Sequence, residues 1–196
     1  RALQIFTTGQ EFYVPESPAT PENFSVRAQT NFGSKRVRPI TLSGQTLFIQ
    51  RTGKALNSFV FSEDQQANVT SSVSILSPHL IKDPIKISVQ RGAPDSDANY
   101  IYIVNSDGTV TVLNSLPYEN IAAFTQWITQ GEILSCAVVG DKVFFLTLRN
   151  GRKALEVEND LLNMDSGKTD ESGSTIDNIF RLNDLSIAIK TDGYFY

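Results

Sequence analysis

Few residues in this chain have the types and spacing that nucleophilic or acid–base chemistry requires. The sequence contains one histidine and one cysteine, His79 and Cys136. A catalytic Ser or Cys needs a base beside it, and His79 stands among apolar neighbours in Ser77-Pro-His-Leu-Ile81, which favours a hydrogen-bonded structural residue. Cys136 lies in the apolar run Ile133-Leu-Ser-Cys-Ala-Val-Val139, where cysteine acts as a small hydrophobic residue, and a lone cysteine excludes a disulfide framework. We therefore predict no catalytic residue and expect that the protein is not an enzyme.

The sequence also predicts neither a metal nor a cofactor. Zinc requires several His or Cys ligands at short spacing. Asp95-Ser-Asp97 and Asp165-Ser-Gly-Lys-Thr-Asp170 offer oxygen ligands, but neither continues into a calcium-binding loop that ends in Glu. Gly167-Lys-Thr169 matches only the end of a phosphate-binding loop. We interpret the two acidic segments as solvated turns.

Composition and charge argue against nucleic-acid-binding and membrane-spanning classes. Hydrophobic residues make up 40% of the chain, charged residues 19%, and the formal net charge is -4, which is ordinary for a soluble globular protein. Nucleic-acid-binding domains usually cluster Lys and Arg, whereas the densest basic run, Lys35-Arg36-Val37-Arg38, is short and is interpreted as a solvated loop before a strand. No stretch approaches the roughly 20 apolar residues of a membrane helix, so we expect no membrane partner.

Aromatic residues offer another kind of candidate site, because they could line a sugar-binding surface. They fall on predicted strands, where core packing is the default. These residues are Phe12, Tyr13, Tyr100, Tyr102, Phe144 and Phe145.

The elements that would position any site are β-hairpins repeated along the chain. In five places an apolar-rich strand runs into a short polar turn ending in glycine, and a second strand follows. Glycine suits such turns because it adopts a positive φ without a Cβ clash. The predicted hairpins are Leu3–Gly9 with Glu11–Val14, Leu47–Gly53 with Leu56–Phe61, Tyr100–Gly108 with Thr109–Leu113, Val143–Gly151 with Ala154–Val157, and Leu185–Gly193 with Tyr194–Tyr196.

The spacing of these hairpins predicts the fold. The five turn glycines are 44, 55, 43 and 42 residues apart, close to the repeat of about 40 to 45 residues in a propeller blade. Additional strands are predicted between the hairpins, which a four-stranded blade requires; they are Phe24–Gln29, Ile85–Val89, Ala123–Ile128 and Ile133–Val139. We predict an all-β fold of antiparallel, propeller-like blades, with a β-sandwich as the alternative.

The domain organisation follows from where this pattern breaks. Residues 1–158 form the predicted propeller-like β domain. Residues 159–178, which are polar and rich in Gly and Ser, are predicted to be a mobile loop, and residues 179–196 to begin a further hairpin or blade. The first residues already have the pattern of a strand, and the last ones stop just after a turn signal without a closing segment, so we interpret the chain as a fragment of a longer protein.

The order of several short motifs resembles the tail nozzle proteins of short-tailed bacteriophages, also called tail tubular protein B-like proteins. The resemblance spans nearly all of this chain, which corresponds to the middle of a typical family member. One departure is the third hairpin, Trp-rich in the family and Tyr100-Ile-Tyr-Ile-Val104 here. The matching motifs are Ile5-Phe-Thr-Thr-Gly-Gln-Glu-Phe12, Thr20-Pro-Glu-Asn23, Val26-Arg-Ala-Gln-Thr-Asn-Phe-Gly33, Val37-Arg-Pro-Ile40, Leu47-Phe-Ile-Gln-Arg51, Leu76-Ser-Pro-His-Leu-Ile81, Gly151-Arg-Lys-Ala-Leu-Glu156 and Met164-Asp-Ser-Gly167.

This resemblance implies a structural virion protein without catalytic activity. The family forms a ring, a hexamer by resemblance, that extends the tail, contacts the tail adaptor and tail fibre proteins, and conducts DNA during ejection without binding it specifically. The implied location is the virion tail, assembled in the bacterial host cytoplasm. The alternative interpretation is a bacterial cell-surface propeller module that binds a glycan or a protein.

Overall fold

The computed structural model of the chain describes residues 3–16, 20–92, 99–116, 121–158, 176–182 and 185–191, the last two ranges as backbone. Within these ranges the regular structure is β-strand, apart from one 3-10 turn at Pro78–Leu80. The all-β prediction is therefore confirmed. The strands are β1 Leu3–Phe6, β2 Glu11–Val14, β3 Arg27–Thr30, β4 Ile40–Leu42, β5 Gln45–Ile49, β6 Leu56–Ser62, β7 Ala67–Ser72, β8 Lys86–Gln90, β9 Asn99–Val104, β10 Val110–Leu116, β11 Ile121–Trp127, β12 Glu132–Val139, β13 Lys142–Arg149, β14 Arg152–Val157, β15 Ile176–Leu182 and β16 Leu185–Thr191.

The strands form five antiparallel sheets that follow the chain order. Sheet 1 contains β1–β3, sheet 2 contains β4–β7, sheet 3 contains β8–β11, sheet 4 contains β12–β14, and sheet 5 is the hairpin β15–β16. Every strand pairs with its neighbour in sequence, so each sheet is a meander without crossovers. None of these sheets closes on itself within the described residues, and a closed propeller therefore stays a prediction.

The first four hairpins predicted from the glycine turns are present, one in each of sheets 1 to 4. Strands β5–β6 and β9–β10 are the two central strands of their sheets, whereas β1–β2 are the first two strands of sheet 1 and β13–β14 the last two of sheet 4. At three of these turns, Gly53, Gly108 and Gly151 adopt φ angles of 69°, 79° and 74°, as expected of left-handed turn residues. Gly193, the glycine of the fifth predicted hairpin, lies outside the described residues.

Several predicted boundaries need correction. Strand β3 begins at Arg27 rather than Phe24, and β15 begins at Ile176, inside the predicted loop 159–178. Residues 159–175 of that loop lie outside the described residues. The sequence did not predict β4, which has three residues, or β7, whose composition is polar; both are held by pairing within sheet 2.

The sheets stack face to face in series, which differs from a two-sheet sandwich. Strand β9 in sheet 3 shows this most clearly. Ile101 and Ile103 belong to a core cluster shared with sheet 2, while the alternating residues Tyr102 and Val104 belong to a second cluster shared with sheet 4. Because successive strand residues point to opposite faces, sheet 3 is buried on both sides.

Sheet 1 extends the stack at its other side. The Phe6 ring of β1 lies 5.0 Å from the Phe48 ring and 5.5 Å from the Phe59 ring, both in sheet 2. Phe48 and Phe59 are fully buried, and each such side chain contributes roughly 1.5–3 kcal/mol to stability. Sheets 1 to 4 therefore form one continuous stack in chain order.

Candidate assembly surfaces

The two residues with catalytic potential, His79 and Cys136, lie in different environments. His79 is exposed in the 3-10 turn. Cys136 is 2% exposed in β12, and its Sγ lies 3.9 Å from the Tyr102 carbonyl oxygen. Burial raises the pKa of the Cys136 thiol, because the charged thiolate is disfavoured away from water. This arrangement does not pair a nucleophile with a base.

The acidic segments proposed as solvated turns, Asp95-Ser-Asp97 and Asp165–Asp170, lie outside the described residues, as does Gly167–Thr169. In the part of the chain that the structure describes, no group of three or more His, Cys, Asp or Glu residues is placed to hold a metal ion. Within those same ranges, no helix has the length and hydropathy needed to cross a membrane.

Three aromatic side chains form a triangle between sheets 3 and 4. The Tyr102 ring lies 5.7 Å from the Trp127 ring and 5.9 Å from the Phe145 ring, and the other two rings are 6.2 Å apart. The Tyr102 hydroxyl donates to Gln90 Oε1 at 2.9 Å, which satisfies the polar end of a buried tyrosine. These rings are core residues and do not offer a surface to a sugar.

One edge of the stack is closed by backbone hydrogen bonds between hairpin tips and the segments that connect successive sheets. The first tip bonds to the connector after it, the second tip to the connectors before and after it, and the third tip to the connector before it and to the start of β12. We call this line of contacts the tip seam. Its bonds are Ser34 N to Thr7 O at 2.7 Å, Arg51 N to Gly33 O at 2.8 Å, Asp83 N to Gly53 O at 2.9 Å, Ser106 N to Lys82 O at 3.2 Å and Ile133 N to Gly108 O at 2.9 Å.

Charged side chains reinforce the same edge. Lys35 forms an ion pair with Asp83, and Lys82 Nζ lies 3.0 Å from Asp107 Oδ2. Although partial desolvation opposes it, hydrogen bonds from Thr109 and Lys82 lower the pKa of Asp107. The tips are thus fixed by both backbone and side-chain contacts, which makes this edge a rigid scaffold.

The basic run at residues 35–38 does not form a phosphate-binding cluster. Lys35 is committed to its ion pair, and Val37 is buried in the core shared by sheets 2 and 3. Arg36 and Arg38 are exposed. The run is a loop before β4, which agrees with its interpretation from sequence.

Large apolar side chains project from the connectors along the tip seam. They lie after the last strands of sheets 1, 2 and 3, at the end of each sheet where the hairpin tips are. The sequence did not predict this feature, although the adjacent pair Ile75-Leu76 stands outside any alternating strand pattern. The exposed residues are Phe32 at 43%, Ile75 at 72%, Leu76 at 90% and Ile128 at 78%. We call these four residues the connector row.

No protein-family model matches the chain, and no curated protein matches it.

Proposed function

We propose that the chain is part of a structural protein of a bacteriophage virion, a component of the tail nozzle that extends the tail and conducts DNA during ejection. The ordered motifs quoted above support this proposal, and so does the all-β stack of antiparallel meanders. The observation that carries it is the connector row, a set of exposed apolar side chains on a rigid edge.

The connector row is suited to subunit contact for a physical reason. Exposed apolar side chains gain roughly 25 cal/mol per Å² when a partner removes them from water, and obligate interfaces are more apolar than the remaining surface. A rigid edge also loses little conformational entropy on binding. We therefore expect these residues to contact another copy of the protein in a ring, a hexamer by resemblance, or the adaptor and fibre proteins of the tail.

The charge of the chain is compatible with a conduit for DNA. Its formal net charge is -4, and negative walls repel phosphates, whereas clustered Lys and Arg would hold them. DNA is thus expected to pass without specific binding. The proposed location is the virion tail, after assembly in the cytoplasm of the bacterial host.

Immunogold electron microscopy of phage particles, with antibody against this chain, tests the location. Gold at the tail below the capsid is the expected result. Particles that lack the protein, or label confined to the bacterial envelope, would reject the proposal. Envelope label would favour a bacterial surface module, for which the exposed rings of Phe24 and Phe61 offer candidate sugar contacts.

Oligomerisation of the purified protein tests the surface itself. Leu76→Asp places a charge in the connector row and is expected to abolish ring formation in analytical ultracentrifugation. Gln65→Asp is the matched control, because Gln65 is exposed in the turn between β6 and β7, at the opposite edge of sheet 2. Equal effects of the two changes would show that the connector row is not the contact surface.

A further inference from the structure

Successive sheets are added to the stack in the same way along the chain. Each connector leaves the last strand of one sheet and enters the first strand of the next sheet. The new sheet packs on its predecessor, as the Phe6 contacts show for sheets 1 and 2, and the shared clusters show for sheets 2, 3 and 4. Sheet 3 has opposite faces covered by its two neighbours, so the next layer after sheet 4 belongs on the face of sheet 4 that points away from sheet 3.

That outward face of sheet 4 is apolar. Val143, Phe145 and Thr147 of β13 are buried, the first two against sheet 3, so the alternating residues of β13 and their cross-strand partners lie on the outward face. Leu155 is 72% exposed and pairs with Leu146, and Val157 is 48% exposed and pairs with Phe144. An apolar sheet face of this kind normally packs against another layer.

The pairing register of sheet 5 places apolar residues together on one face, which would suit packing against the apolar face of sheet 4. Phe180 pairs with Ile187, and Leu182 pairs with Leu185; because paired residues share a face, these four apolar residues lie on one face of the hairpin. The other face is mainly polar: it holds the pairs Asp177 with Lys190 and Arg181 with Ser186, with the pair Ile179 and Ala188 between them. The hairpin therefore has one apolar face to bury.

We propose that sheet 5 docks its apolar face on the outward face of sheet 4 and continues the stack as a fifth layer. Strand β14 ends at Val157 and β15 begins at Ile176, so the connection is long enough to place the hairpin on this face, at roughly 3.3–3.6 Å per residue when extended. Docking removes Leu155 and Val157 from water. The same chain supplies the occupant, which gives it a high effective concentration relative to a separate molecule.

Thiol labelling of the full chain tests the docking. A cysteine at position 155, introduced by Leu155→Cys, is expected to react with iodoacetamide much more slowly than one at the exposed residue Thr125. Adding Ile187→Asp, on the apolar face of sheet 5, is expected to raise the rate at position 155 by about tenfold or more, because protection equals the ratio of docked to open hairpin. Ala188→Asp, on the other face, is the matched control and should leave the rate unchanged.

The native Cys136 serves as an internal check, since it is buried between sheets 3 and 4 and should stay unreactive while the fold is intact. Rapid labelling at position 155 in the absence of Ile187→Asp would overturn the proposal. Protection that depends on protein concentration and not on Ile187 would also overturn it, because a second copy would then be the occupant.

Discussion

The tip seam makes a quantitative prediction about the glycine at the tip of the third hairpin. Gly108 has a φ of +79°, and a Cβ added there would lie 2.9 Å from Cβ and Cγ of Glu132 and 3.0 Å from its Cα. Gly44 has the same φ of +79°, but a Cβ there would meet nothing within 4 Å. The two glycines thus share a positive φ and differ in whether neighbouring atoms crowd an added Cβ.

Gly108→Ala should therefore destabilise the protein more than Gly44→Ala does. Both changes incur roughly 1–2 kcal/mol of left-handed backbone strain, partly offset by the reduced entropy of the unfolded chain. Only Gly108→Ala adds the cost of overpacking, about 1–3 kcal/mol, because the backbone of Glu132 must move. We expect the difference between the two variants to equal this second amount.

Urea unfolding followed by Trp127 fluorescence measures the difference. With a slope of about 2 kcal/mol per molar urea, the midpoint of Gly108→Ala should lie roughly 0.5–1.5 M below that of Gly44→Ala. A double-mutant cycle with Glu132→Gly should recover part of the loss, since the closest side-chain atoms are then removed. Equal midpoints for the two alanine variants would refute the packing of this tip on the start of β12.

Four further predictions concern the interior and its titrating groups. Trp127→Ala, which empties one corner of the aromatic triangle, should lower the free energy of unfolding by about 3–5 kcal/mol in urea titrations. Glu156→Gln removes the charge that Arg149 Nε contacts at 2.6 Å and should lower stability by about 1 kcal/mol, with a smaller effect at high salt. Burial raises the pKa of the Cys136 thiol, so the stability that this group contributes is complete below the pKa of the unfolded thiol and is lost as pH rises through the folded pKa. Cys136→Ala should remove this loss of stability at alkaline pH, as measured by unfolding at a series of pH values. The pKa of Asp107 is lowered, so its effect on stability is the opposite: the stabilisation is present above the unfolded pKa and is lost as pH falls through the folded pKa. Asp107→Asn should reduce the loss of stability at acidic pH in the same measurements.

The sequence predicted the hairpins well because two independent signals coincide in them. Strand β13 alternates between buried and less buried residues along its length, as in Val143, Phe145 and Thr147, and a glycine follows at the turn. Alternation and turn chemistry are both local properties. The repeat therefore emerged without knowledge of the tertiary contacts.

Strand β7 was missed because long-range hydrogen bonds stabilise it. Asn68 is buried, and its backbone N–H and side-chain amide both donate to Gln29 Oε1 in the neighbouring region of sheet 1. Glu11 is similarly buried, although a charged residue is expected at the surface; one of its carboxylate oxygens accepts from Thr30 Oγ1 at 2.6 Å. Such partners are distant in sequence, and residue type alone does not reveal them.

The connector row was missed for a related reason. Sequence patterns identify residues that belong to a strand, but they do not show which side of the fold a connecting segment faces. Phe32, Ile75 and Ile128 come from three separate connectors, and only the stacking of sheets brings them to one edge. A surface that is assembled from several loops has no continuous motif in the sequence.

Because β9 is buried on both faces, its pairing register is not specified by an alternation of polar and apolar residues. Both faces of Tyr100–Val104 are apolar or aromatic, so a shift by one residue would not expose apolar groups to water, as it would in a strand with one wet face. The register is then fixed at the strand end by the fully buried Asn105. Its Nδ2, which carries two N–H donors, lies 3.1 Å from each of Leu80 O, Thr109 Oγ1 and Thr111 Oγ1, and its Oδ1 accepts from Lys82 N. Asn105 thus fixes the register of sheet 3. Until Asn105 has formed these hydrogen bonds, a folding chain exposes β9, an apolar strand without its native partners, and such strands favour aggregation.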